Sequence, residues 1–255
     1  MKLRALTHPR ATWHEVSFNS RRRRADRLLR AGRYRQAEKT FALLHAQRPS
    51  DTWIASGLSQ ARFQPILDEA EAHWAEGRPE VSIALMERAA MTLPHEPEIP
   101  LWLAPAAVEH RRFDDAAMHA ATAVSLCQDD PHVYFRAAHS ARWSDIEAAR
   151  DYIEAAKDLL AHAAPDAEPF ALLDDMPRLE ALILWTEGRQ LEATFYMEHA
   201  HARQPEDECT AGDLAQMLLE IGEHDAARGV LKNALVACPG DRRLLELEQR
   251  TREEA

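Results

Sequence analysis

Glycine is scarce in this chain of 255 residues, with only 8, and aromatic side chains make up 7%. With abundant Ala, Leu, Glu and Arg, that shortage favours helix over sheet. Cysteine is scarcer still. Cys127, Cys209 and Cys238 are an odd number with no Cys-x-x-Cys pair. This argues against a disulfide framework and fits reduced thiols in a reducing compartment. No run approaches the ~18–20 apolar residues of a membrane helix, and the N-terminus has no signal-peptide apolar core, so a cytoplasmic protein without membrane insertion is expected. The chain also lacks a Gly-x-Ser-x-Gly elbow, a phosphate-binding Gly-rich loop and a His-Glu-x-x-His helix. The common nucleophile, nucleotide and zinc-protease chemistries lose their signatures, and no catalytic activity is expected.

What the chain does have is an uneven charge and a repeated spacing. Residues 1–48 carry 13 Lys+Arg against 3 Asp+Glu, and the remainder carry 18 against 39, within a net charge of −11. A basic end attracts nucleic acid, an anionic surface or an acidic protein, whereas the acidic body repels the first two. Equally, the basic hairpin complements the acidic hairpins beside it.

The spacing is clearest in 208–241, where Gly222 is followed by Ala227, Leu231, Ala234 and Pro239. Glycine breaks a helix, the alanines let two helices approach, leucine fills the seam, and proline stops the second helix. The figure occurs 34 residues earlier as Gly188, Ala193, Met197, Ala200 and Pro205. It recurs as Gly77, Ser82, Met86, Ala89 and Pro94, and as Gly32, Ala37, Phe41, Leu44 and Pro49. Over residues 18–241 the chain therefore resembles the tetratricopeptide repeat family. The resemblance implies an all-α, right-handed α-solenoid of about six helical hairpins with a C-terminal capping helix.

In order along the chain, residues 1–17 form a lead-in with no clean helical period. Hairpins are expected at about 18–51, 63–96, 97–130, 131–164, 174–207 and 208–241. Insertions fall at 52–62, with an extra helical turn around Trp53, Ile54 and Leu58, and at 165–173. The third hairpin has Arg111 in the glycine position and Pro105 inside its first helix, which should kink or shorten it. Its Trp102, Pro105 and Phe113 either expose a dimer seam or mark a local bend. The fourth keeps a close-contact face of Ala149, Ile153 and Ala156. Residues 242–255, with Leu244, Leu245 and Leu247, read as the cap. Asp129-Asp130 and Asp174-Asp175 stand at helix starts, where carboxylates cap backbone amides.

The resemblance also implies a groove lined by the first helix of each hairpin and receiving a protein or peptide partner. Its groove-facing positions fall on Asn19, Arg22, Asp26, Leu29 and Arg30, and on Gln64, Leu67, Glu71 and Trp74. Further along they fall on His132, Phe135, His139, Arg142 and Trp143, and on Arg178, Leu182 and Trp185. Arginine and aromatic side chains are the usual anchors of binding energy. Plainer roles stand beside these: Trp74 and Trp185 plugging inter-hairpin joints, His132 and His139 on a solvated polar face, and Arg21–Arg24 pointing around more than one face. One group in the family clamps C-terminal carboxylates with Lys and Asn. Arg22, Asp26, Leu67, Glu71, Leu101 and Pro105 depart from that pattern, although Arg22, Arg23 and Arg30 suit another acidic segment.

His199 and His201 turn to different sides of a helix, and His110 with Asp114 lacks a third ligand, so neither a metal nor another cofactor is expected. The leading reading is a non-catalytic interaction scaffold or adaptor. An assembly factor or chaperone for a secretion or surface-apparatus subunit is the first alternative, and anion binding through the basic hairpin is the second. The Ala- and Arg-rich composition suits a bacterial source.

Overall fold

The computed structural model describes residues 13–162 and 172–253, and every regular element among them is an α-helix. The chain divides into two compact units between Ile99 and Pro100. The first contains α1 (Trp13–Arg30), α2 (Tyr34–Gln47), α3 (Thr52–Ala75) and α4 (Pro79–Thr92). Helix α5 (Glu98–Glu109) begins at the division. The second unit continues with α6 (Phe113–Leu126), α7 (Pro131–Ala141), α8 (Ile146–Ala161), α9 (Leu172–Thr186) and α10 (Gln190–Arg203). It ends with α11 (Glu208–Glu220), α12 (His224–Ala237) and α13 (Arg242–Glu253).

Small side chains at helical spacing bring each hairpin together. On the second helices, Ala37, Phe41 and Leu44 on α2, Ala116, Ala120 and Ala123 on α6, and Ala227, Leu231 and Ala234 on α12 are buried. Ala149, Ile153 and Ala156 do the same on α8, and Ala193, Met197 and Ala200 on α10. In α4 the first of these positions is Ser82. Its buried hydroxyl donates to the Ala70 carbonyl of α3 at 2.6 Å, so the polar side chain is satisfied.

The turn between paired helices is the same in five hairpins. Gly32, Gly77, Gly188 and Gly222 take φ of +67° to +86°, and Arg111 takes φ +57° in the third. In each, that residue and the next donate backbone N–H groups to the last turn of the first helix, as Gly222 to Leu219 and Glu223 to Leu218. This closure satisfies carbonyls a helix end otherwise leaves bare. Helix starts are capped by aspartate: Asp51, Asp130, Asp145 and Asp207 each accept a backbone N–H from the first turn. Asp130 thus caps as expected, whereas Asp174 lies inside the first turn of α9 and pairs with Arg203.

Three boundaries differ from those expected of the sequence. Helix α1 starts at Trp13 instead of Phe18, because Pro9 disfavours helix only just before itself and nothing after it breaks one. The expected separate turn in 52–62 is instead the start of one 24-residue helix, α3, which Asp51 caps and which runs on through Gly57 and Pro65. Gly57 within it permits a close approach, since a Cβ there would lie 2.4 Å from the Phe41 ring. Pro105 does not end α5, which continues to Glu109. Leu245 of the capping helix is exposed, whereas Leu244 and Leu247 are buried. Residues 1–12, 163–171 and 254–255 lie outside the described residues, and with them most of the lead-in and of the 165–173 insertion.

Two substitutions should act in opposite directions. Arg111→Gly relieves a left-handed backbone that costs an L-residue about 1–2 kcal/mol, partly offset by a freer unfolded chain, so it should stabilise by about 0.5–1 kcal/mol. Gly57→Ala should destabilise by about 1–3 kcal/mol, because the buried Phe41 ring has to move. Urea denaturation of both variants beside wild type checks the signs.

Candidate functional site

In the first unit the carried-over positions are mostly engaged with their neighbours. The Arg22 guanidinium lies 4.1 Å from the Trp53 ring centroid, and Asp26 pairs with Arg30 at 3.0 Å. Gln64 donates to Asp68, Leu67 is half-buried beside a cavity edged by His95 and Glu96, Glu71 is exposed, and Trp74 is half-buried. Arg22 is thus set apart from Arg21, Arg23 and Arg24, which are exposed.

The second unit brings its positions together. Phe135 of α7 is half-buried against the packed alanines of α7 and α8, and Leu182 and Trp185 of α9 pack onto the core around Leu214 and Leu231. Trp185 is thus partly buried against that core. Beside these apolar side chains lies a charged group. Asp213 of α11 is 8% exposed and accepts from Arg178 of α9, Nε at 2.9 Å and the terminal nitrogen at 2.7 Å. Its other oxygen accepts from Arg243 of α13 at 2.7 Å. Arg243 also donates to Gln216 at 3.1 Å. Arg243 passes close to Gly212, where a Cβ would just touch its guanidinium at 3.4 Å.

Arg142 closes the group from the end of α7. It is 8% exposed, donates Nε–H to the His139 carbonyl at 3.2 Å, and lies 4.3 Å from the Trp143 ring. Trp143 in turn stacks on Phe113 at 5.7 Å. His132 is exposed at the other end of α7.

Burial disfavours the charged form of Arg142 and brings its pKa down to about 10; Asp213 opposes this and Arg178 adds to it. For Arg178 burial acts against the charge, but Asp213 overcomes it and the pKa is raised. His139 is held neutral, with a pKa of about 4, by burial and then by Arg142 and Arg178, against the pull of Asp213. This group is equipped to donate hydrogen bonds to an anion: guanidiniums keep their charge and present several N–H groups in a fixed plane.

The sequence alone points to His139, Arg142 and Arg178 but not to Asp213, Arg243 or Gln216, and it shows no convergence of polar side chains. Extending the first-helix positions into the last hairpin yields Gly212 and Gln216, next to Asp213. Among the described residues no three His, Cys, Asp or Glu side chains gather as a metal site. His199 lies against the exposed Phe195 with the two rings tilted at 57°, apart from the half-buried His201. No helix among the described residues is long and apolar enough to cross a membrane.

Among solved structures, a tetratricopeptide repeat protein from Parabacteroides merdae is similar at 10% identity and a TM-score of 0.59, covering 93% of this chain and 86% of its own. The fold is that of the tetratricopeptide repeat proteins. PilW, a type IV pilus biogenesis factor, shares this tetratricopeptide fold at 15% identity and a TM-score of 0.56, over 75% of this chain and 84% of PilW. The Cut9–Hcn1 hetero-tetramer of the APC/C matches at 15% identity and a TM-score of 0.52, over 88% of this chain, which spans 41% of the matched chain. No protein-family model and no curated protein matches this tetratricopeptide-fold chain.

His139 ties stability to pH. Between pH 6.5 and about 4 the unfolded chain takes up a proton that the folded site refuses, so stability falls as pH falls through that window. Going from pH 7 to pH 5, wild type should lose about 1–2 kcal/mol more than His139→Gln in urea denaturation. Equal losses would place His139 outside the charged group's influence.

Proposed function

We propose that this protein is an interaction scaffold that holds a segment of a protein partner on the face shared by α7, α9, α11 and α13. The observation that carries this reading is the pairing of Arg178 and Arg243 with Asp213, with Arg142 held near them on the His139 carbonyl, on helices that also carry Phe135, Leu182 and Trp185. Arginine among half-buried aromatic and aliphatic side chains is the composition of binding hot spots. The fold supports the reading as well, because a helical-repeat framework offers extended surface without chemistry of its own. His132, at the exposed end of α7, extends the face; Arg22, Asp26, Arg30, Leu67, Glu71 and Trp74 form the corresponding positions of the first unit.

The free state of Cys127, Cys209 and Cys238 supports work in a reducing, cytoplasmic setting. The likeness to PilW favours, as the second reading, a role in assembling a secretion or surface apparatus, with the same face holding a subunit in transit.

Affinity capture from the native cell extract, followed by mass spectrometry, tests the scaffold. The comparison is wild type against a variant carrying His132→Ala, Arg142→Gln and Arg243→Gln, with helicity and melting temperature checked in parallel. A protein retained by wild type and lost from the folded variant is expected, and a pilus or secretion subunit would favour the second reading. Identical captures by both would move the site off this face.

A further inference from the structure

The charges on this face do not balance. Asp213 accepts twice at one oxygen from Arg178 and once at the other from Arg243, and it makes no hydrogen bond to Arg142. Arg142 is 8% exposed, and among the described residues no carboxylate lies within ion-pair distance of it. Asp207, the next acid near Arg178, is committed to the start of α11, where it accepts from the Thr210 backbone and hydroxyl. His139 adds no charge of either sign near neutral pH. Three guanidiniums therefore gather around one carboxylate, which attracts Arg142 without contacting it, and a buried cation that is only partly compensated is a standing cost to the fold.

We infer that this face recognises a carboxylate on the partner, an Asp or Glu side chain of an acidic segment that Arg142 and Arg243 receive as donors. The inference rests on the scaffold reading and specifies its chemistry. A carboxylate matches the planar guanidinium fork and supplies the missing negative charge. Phe135, Leu182 and Trp185 next to it suit apolar side chains flanking that acid. A continuous polyanion fits poorly, because Asp213 sits in the middle of the site and residues 49–255 carry 39 Asp+Glu against 18 Lys+Arg.

The test uses the full chain and two fluorescein-labelled synthetic peptides, one alternating Glu with Leu and the other alternating Gln with Leu, read by fluorescence anisotropy. The Glu peptide should bind wild type at least about tenfold more tightly than the Gln peptide. Added salt should shrink that advantage, and Arg142→Gln should abolish it. Equal affinity for the two peptides overturns the carboxylate inference while the extract capture still decides the scaffold. So does absence of Glu-peptide binding at millimolar concentration, or tighter binding of labelled oligothymidylate than of the Glu peptide.

Arg142→Met separates recognition from support. Removing a buried charge that is only partly compensated should leave the melting temperature unchanged or raise it. A drop of several degrees would make Arg142 a prop for Trp143 and overturn its proposed role.

Discussion

Two helices lie close along their length only where neither raises a long side chain between them, and this constraint underlies the rest of the structure. Ala37, Ala116, Ala149, Ala193 and Ala227 are all 0% exposed at the first seam position of their hairpins, with Ser82 in the remaining one. Close approach on that side buries the apolar stripe of each second helix. It also leaves the first helices with a face that the hairpin itself does not use. On α7, α9 and α11 that face carries Phe135, His139, Arg142, Arg178, Leu182, Trp185 and Asp213. A larger residue at a seam position would separate the helices and disturb the relative placement of these side chains, without touching any of them.

Keeping a charged group half-buried is a balance of opposing terms. Desolvating each ion costs several kcal/mol, and the return depends on good geometry and saturated hydrogen bonding. Asp213 meets that condition, accepting from Arg178 and Arg243 through both oxygens. Arg142 does not meet it among the described residues, where its hydrogen bond goes to the His139 carbonyl. A residue optimised only for folding would be apolar at that position, as Ala138 and Ala141 beside it are.

Much of the fold is legible in the sequence because the turns and seams are local. A glycine with positive φ, alanines five and twelve residues later, and a closing proline all act within one hairpin, so the spacing exposes them. Arg111 can be placed by that spacing although its residue type breaks the pattern, and it adopts the glycine conformation at φ +57°. The insertion at 52–62 does not read as part of one long helix because it contains Gly57 and is followed by Pro65, yet the helix runs through both, and a shift in repeat length carries no information on helix continuity. The charged group is only half legible. His139, Arg142 and Arg178 fall on expected first-helix positions, but Asp213 lies one residue off them. Its role depends on partners 35 residues before and 30 residues after it. Periodicity reports which face a residue occupies; it does not report which guanidinium crosses to a neighbouring helix.

The second helices offer a competing surface, since Leu191, Phe195 and Tyr196 of α10 are exposed. Site-specific photo-crosslinking discriminates between the two faces most directly. A benzophenone amino acid is placed in separate proteins at His132 on α7 and at Phe195 on α10, and each is irradiated in native extract. The account predicts a discrete cross-linked partner from position 132, competed away by the Glu–Leu peptide, and none from position 195. A discrete partner from position 195 alone would contradict it.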